Sequence, residues 1–329
     1  MNIFERHIPF KLRTRLLFAL ILLFATPIAH ALDTILIIRP AGPHFEQIVS
    51  GIADETEGEI AYQELVIDKT ATVKEMYLSI MTHQPKALVL MGNQQMNLFK
   101  QLQHSHSQET FPPVVAVAAL FIDRVMADSK NVTGILYEVP AVTGLISLRN
   151  ISKQNIKRVG VLHREDMADM IAINKQYCAA EGIELVTLSI SNEAAKDAWK
   201  TSKALKKLGR QSLDAIWISN DSGLLTKKLV IKSWMPFMAR FKKPVLVGVE
   251  TLIKSKLNMG TLAVFPDFSD LGVQTAGIIF ELMENNWQME ERGFDQPISV
   301  MKHLNVYISK KREIKLHQDR LSQIDKVIK

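Results

Sequence analysis

Polar side chains able to hold a ligand sit at the downstream ends of short apolar runs. The sharpest case is DAIWISND, Asp214 to Asp221, where alternation puts Trp217 and Ser219 on one side and Ile216 and Ile218 on the other. Asn220 and Asp221 then fall just past the end of the run. A carboxylate at an apolar strand end is costly without a partner. Asp221 therefore either pairs with a cationic or hydroxyl group of a ligand or caps a helix starting near Leu224. A second run, KALVLM, ends at Gly92, Asn93, Gln94 and Gln95. Glycine lets the backbone approach closely, and the amides both donate and accept; N-capping by Asn93 is the alternative. A third run, TILII, ends at Arg39, Pro40, Ala41 and Gly42, and a helix follows near Phe45. Such a helix start offers free N–H groups to an anion, although an ordinary tight turn has the same composition.

Catalytic and metal chemistry find less support. No GxSxG, phosphate-binding loop, HExxH or dinucleotide glycine fingerprint occurs. His104 and His106, in QHSHSQ, have no third ligand nearby and read as a polar surface loop. The single Cys178 cannot form an internal disulfide and reads as a small buried residue. No nucleophile–base pair, metal set or cofactor site emerges, so the expectation is a binding protein without cofactor and not an enzyme.

The elements that must carry these residues follow a rhythm that runs twice. Thr34–Ile38, Ala61–Ile67, Lys86–Met91 and Val114–Leu120 form the first set, and Arg158–Leu162, Ile183–Ile190, Asp214–Ser219 and Pro244–Val249 the second. Short Val- and Ile-rich runs separated by helix-length segments predict parallel strands buried on both faces. Two sets of four predict two similar α/β lobes with a cleft between them. The segment NVTGILYEVP, Asn131 to Pro140, reads as a crossing, followed by a helix in AVTGLISLRNISKQ. A return is expected around Gly260–Gly272, with Ser269 or Asp270 capping the next helix, and a third crossing in PISVMKHLNVYIS.

The first residues read as an export signal. Arg6, Lys11, Arg13 and Arg15 precede the apolar run Leu16–Ala25, then Pro27 and the small-x-small triplet Ala29–Ala31. That run has half the roughly 20 residues a membrane span needs. Cleavage after Ala31 and a periplasmic location are therefore expected. The chain carries 40 basic and 34 acidic residues, a net +6; residues 1–31 hold four basic and one acidic, leaving 36 and 33, or +3. That balance is no nucleic-acid footprint.

Several strings in order resemble the substrate-binding proteins of ABC transporters with the type I periplasmic binding fold, in the group that includes aromatic-amino-acid binders. They are PHFEQIVSGI, NVTGI, KRVGVLH, ISND and PDFSDLGVQTA, with a tail, HLNVYISKKREIKLHQDRLSQIDKVI, similar to the family's final helix. The resemblance implies two lobes joined by about three crossings: lobe one at 32–137 plus 267–299, lobe two at 138–266, and a C-terminal strand and helix at 300–329. It implies a monomer that closes on a small ligand, an amino acid or other small carboxylate, and delivers it to an inner-membrane ABC permease; the alternative is a component presenting its bound state to a membrane sensor kinase or cyclase. The ligand wall it implies comprises Gly42, Asn93, Gln94, Phe121, Asp169, Asn220, Asp221 and Asp267. The chain departs from the family pattern at Phe121 and Ile122, where an Asp-Pro is expected, and at Asp169 and Met170, in place of an Asn-Ser pair.

Overall fold

A computed structural model describes residues 32–290 and 292–329; the expected export signal and its cleavage site lie outside them. The first run of elements is β1 (Asp33–Arg39), α1 (Pro43–Thr56), β2 (Ile60–Val66), α2 (Val73–His83), β3 (Ala87–Met91), α3 (Asn93–Ser105), β4 (Val114–Val117) and β5 (Val132–Ile135). The second is α4 (Ala141–Ile151), β6 (Arg158–Arg164), α5 (Ala168–Ala180), β7 (Glu184–Ile190), α6 (Ala198–Gly209), β8 (Ala215–Ile218), β9 (Val245–Val247) and β10 (Leu262–Pro266). Helix α7 (Phe268–Glu284), β11 (Phe294–Asp295), β12 (Val300–Asn305), α8 (Val306–Lys311) and β13 (Lys326–Ile328) complete it.

Two separate sheets result, ordered β11-β5-β4-β3-β1-β2 and β13-β12-β10-β9-β8-β6-β7. The β1–β3, β3–β4, β4–β5 and β5–β11 pairs are parallel, and in the second sheet only β10–β12 runs antiparallel among the described pairs. The inner strands of each sheet are covered on both faces, whereas the edge strands β2 and β7, also expected to be buried on both faces, leave residues exposed because no neighbour lies beyond them. In β1, Leu36 and Ile38 enter one core while Ile35 and Ile37 enter the other, all at most 1% exposed. In β8, Ile216 and Ile218 face one core and Ala215 and Trp217 the opposite one. This double burial is why the sequence shows unbroken apolar runs.

The chain crosses between sheets three times. It leaves the first sheet after β5, returns after β10 when α7 packs on α1, and leaves again between β11 and β12. The crossings are tied together: the Asp267 N–H donates to the Ser299 carbonyl at 3.1 Å, and Leu136 N–H to the Asp295 carbonyl at 2.8 Å. Phe268 stacks on His44 at 4.3 Å and lies 6.3 Å from the Tyr137 ring.

Some local expectations change. Helix α7 is capped by Asp267, whose carboxylate accepts from the N–H groups of Ser269 and Asp270 at 2.9 and 3.4 Å, two or three residues earlier than expected. The helix expected from Leu224 begins at Lys227, because the Thr226 hydroxyl accepts from Leu229 N–H. The tail keeps only six helical residues, α8, before a 3₁₀ segment and β13, which pairs with β12.

The α1–α7 contact depends on two glycines. A methyl on Gly51 would meet the Ser269 carbonyl and Gly272 Cα, and one on Gly272 would meet the Ile48 carbonyl and Gly51 Cα. Those obstacles are backbone and cannot swing away. Gly277, on the exposed side of α7, has open space around it. Gly272→Val is therefore expected to destabilise the protein by at least about 2 kcal/mol in denaturant unfolding, while Gly277→Ala stabilises it by about 0.5–1 kcal/mol.

Candidate functional site

Parallel strands present their carboxyl ends on one side of each sheet, and the two sheets bring those ends together near the crossings. There a cavity of about 210 Å³ is lined from the first sheet by Phe121, Asp123, Arg124 and Leu136. The crossing contributes Glu138, Val139 and Pro140, and the second lobe Met170, Asn174, Tyr177, Trp217, Asn220 and Gly248.

The turn after β4 is held tightly. Asn93 Nδ2 donates to the Leu120 carbonyl at 2.6 Å, and Leu120 N–H returns a bond to Asn93 Oδ1 at 3.0 Å. The next N–H, that of Phe121, donates to Glu138 Oε1 at 3.1 Å. Phe121 has φ 56° and Ala118 φ 55°, left-handed conformations unfavourable for residues other than glycine. The bonds on either side hold that strain and present the Phe121 ring to the cavity. Asn93 thus acts through the loop it clamps.

Glu138 is the chemically unusual group. Half-buried at the crossing, its carboxyl is pushed up to about 7 by loss of water, against the opposing effect of the Phe121 N–H. Asn220 Oδ1 is buried in the same cavity and has no hydrogen-bond partner, while Nδ2 makes only a 3.4 Å bond to the Gly248 carbonyl. Gly248 is required there, because a Cβ would overlap the Asn220 amide. Arg124, the one cation of the lining, lies with Cζ 5.9 Å from the Phe121 ring centre and donates across to the Asp166 carbonyl at 2.6 Å. The wall therefore combines acceptors, one guanidinium and aromatic surface. Such a set holds and orients a small molecule with N–H or O–H donors and an apolar body.

Asp221 is placed differently. Its carboxylate, 0% exposed, accepts from Arg164 Nε at 2.9 Å, lies 2.8 Å from Arg164 Nη2, and accepts from Gly223 N–H at 2.9 Å. Arg164 also reaches Asp166, which Asn192 binds at 2.5 Å. The ion pair satisfies Asp221 inside the protein. Of the other residues selected from sequence, Phe121 and Asn220 line the cavity; Gly42 precedes α1, Gln94 donates to the Asp68 carbonyl, Asp169 is exposed on the first turn of α5, and Asp267 caps α7. Met170 and Trp217 supply apolar wall. Glu138 and Arg124 were missed. The available signal for Glu138 was a lone carboxylate in an apolar crossing, ILYEVP. Arg124 carried none, since its reach depends on how the lobes face.

No protein-family model matches the chain, and no curated protein matches it. Solved structures do. A ligand-free, open substrate-binding protein with adhesive properties from Clostridium difficile aligns with TM-score 0.65 and 13% identity over 90% of this chain and 99% of its own. An ABC domain in complex with L-Trp from Streptococcus pneumoniae aligns with TM-score 0.59 and 18% identity over 91% of this chain and all of its own. A conserved domain protein from Vibrio cholerae gives TM-score 0.57 and 16% identity over 90% of this chain and all of its own. The architecture is thus the two-lobed α/β fold of type I periplasmic binding proteins.

Two outcomes follow from this geometry. Removing one partner of a buried pair strands the other charge, so Asp221→Ala is expected to lower stability by about 3 kcal/mol, with Asp169→Ala, an exposed control, within about 0.5 kcal/mol; denaturant titration reads both. Glu138 keeps its proton in the folded state to higher pH than the unfolded chain does. Its contribution is full below the ordinary carboxyl range and is lost as pH rises toward about 7. Unfolding curves from pH 4.5 to 8 should show a fall on the order of 1–3 kcal/mol that Glu138→Gln removes.

Proposed function

We propose that this protein is an exported, periplasmic solute-binding protein, monomeric in solution, that closes two lobes around a small ligand and delivers it to an inner-membrane ABC permease. The observation that carries the reading is the buried Asn220 Oδ1, an acceptor without a partner, in a cavity shared by the crossing segment and both sheets' carboxyl ends. Buried polar atoms are normally satisfied, and an incoming N–H or O–H supplies what is missing. The lobes are 32–137 with 267–299, and 138–266 with the C-terminal residues. Residues 1–31 are the cleaved leader; no helix among the described residues is long and apolar enough to cross a membrane.

The ligand is an amino acid or another small carboxylate. Its donor group meets Glu138 and Asn220, its carboxylate the guanidinium of Arg124, and its apolar body the rings of Phe121 and Trp217. The tryptophan complex of the Streptococcus pneumoniae protein supports this class, at the level of a shared fold. Closure shifts an open–closed equilibrium by the difference in ligand contacts between the two states. The tied crossings at Leu136 and Asp267 are the flexing points.

The test is a thermal-shift screen of amino acids and small carboxylates on the mature protein, then calorimetry and small-angle scattering with the best hit. Ligand should compact the protein. Glu138→Gln or Asn220→Ala should weaken binding by about threefold to a hundredfold, the range for one neutral or charged hydrogen bond. A hit that binds both variants as tightly as wild type places the ligand elsewhere.

A further inference from the structure

Buried charges in proteins are paired, and a guanidinium removed from water with no carboxylate nearby is an exception needing a cause. Arg312, at the end of α8, is 5% exposed. Its Nη1 donates to Thr261 Oγ1 at 3.2 Å and its Nη2 to the Met259 carbonyl at 2.8 Å. Both acceptors are neutral. Five N–H donors belong to a guanidinium, so these two bonds leave three more, and no described carboxylate forms an ion pair with it. Burial is what pushes its pKa down, to about 10, and no neighbouring acid opposes that.

Arg312 also lines a hollow of about 260 Å³. Three exposed lysines stand around the hollow, Lys242, Lys256 and Lys311, and its lining contains no acidic residue. The remaining wall is largely apolar, with Met235, Met238, Phe241, Leu257 and Ile308. The hollow lies where β9 and β10 begin, beside Thr261, whereas the ligand cavity lies past the ends of β8 and β9. The two are at opposite poles of the second lobe.

We propose that this hollow is a second binding site, for a small organic anion carrying a phosphate or carboxylate on a compact apolar body. The anionic group would take the free N–H donors of Arg312 and the field of the three lysines, and the body would pack on the methionines and Phe241. A flat anionic surface does not suit the site, because the guanidinium is enclosed and only a molecule entering the hollow reaches it. A solely structural role, clamping the Met259–Thr261 turn, explains the two bonds but neither the three lysines of the lining nor the missing counter-charge.

The experiment is calorimetry on the mature protein with phenyl phosphate, octanoate and inorganic phosphate as probes. Phenyl phosphate or octanoate should bind one per chain and more tightly than inorganic phosphate, and should weaken as salt rises from low to high. Arg312→Met should weaken binding at least about tenfold, the loss of a charge-assisted contact. Should that variant fail to fold, Lys256→Glu with Lys311→Glu, both at exposed positions, should weaken binding to a similar degree in a folded protein. Asn220→Ala, which alters the cleft, should leave this binding in place. No saturable heat with any probe, or binding that survives both sets of substitutions, overturns the proposal. Adsorption to phosphatidylglycerol vesicles without binding of the soluble probes overturns it as well.

Discussion

Burying both faces of the inner parallel strands of each sheet is the constraint from which the rest of this structure follows. A strand such as β1 or β8 has no polar face to spare, because the residues on either side enter separate cores. Polar groups in those strands would lose water without finding a partner. The chemistry is therefore displaced to the strand ends, where the chain turns and backbone groups are free. Two sheets joined at one side bring two sets of such ends together. A cleft between lobes is then a consequence of how the cores are built.

The strand ends are tied by hydrogen bonds and ion pairs between distant parts of the chain. On the first lobe, Asn93 clamps Leu120 in both directions and Glu138 anchors the next N–H, so Phe121 keeps a left-handed backbone. On the second, Arg164 neutralises Asp221 and links through Asp166 to Asn192. These networks join residues far apart in sequence and fix loops that are otherwise the most mobile parts of such a fold. Asn220 Oδ1 is one of four buried side-chain atoms without a partner among the described residues, with Gln154 Oε1, Asn192 Oδ1 and His303 Nε2, and the one that lines the cavity, where the Glu138 carboxyl has lost most of its water. Preorganised polar groups of this kind limit the ordering that binding must impose.

The closure proposed for this protein falls on the segments that run between the two sheets. The three crossings are short, bonded to one another, and flanked by the rings of His44, Phe268 and Tyr137. Burial, with help from Glu138 and Glu250, raises the pKa of the Tyr137 hydroxyl, which keeps that ring neutral. Bending at these segments would leave the α1–α7 contact and both sheets intact. Outside the crossings, the reach of Arg124 to the Asp166 carbonyl is a polar tie across the cleft.

The sequence by itself determined the architecture, since periodicity and composition are local records of burial. All eight apolar runs became strands, with bounds at most three residues from those expected, and the three crossings came where the pattern broke. Asn220 was legible at a strand end and Phe121 through the family resemblance, and both line the cavity. What each polar group does there was decided only by tertiary structure. Asp221 looked like a free carboxylate because its partner, Arg164, is 57 residues away. Asn93 looked like a ligand contact because Leu120, the group it binds, lies 27 residues on. The same holds for the caps: Asp267 displaced Ser269 and Asp270 because the crossing set the helix start. Electrostatic partnership acts through space across low-dielectric distances of a few ångströms, and nothing in a local string encodes which distant residue will be brought within that range.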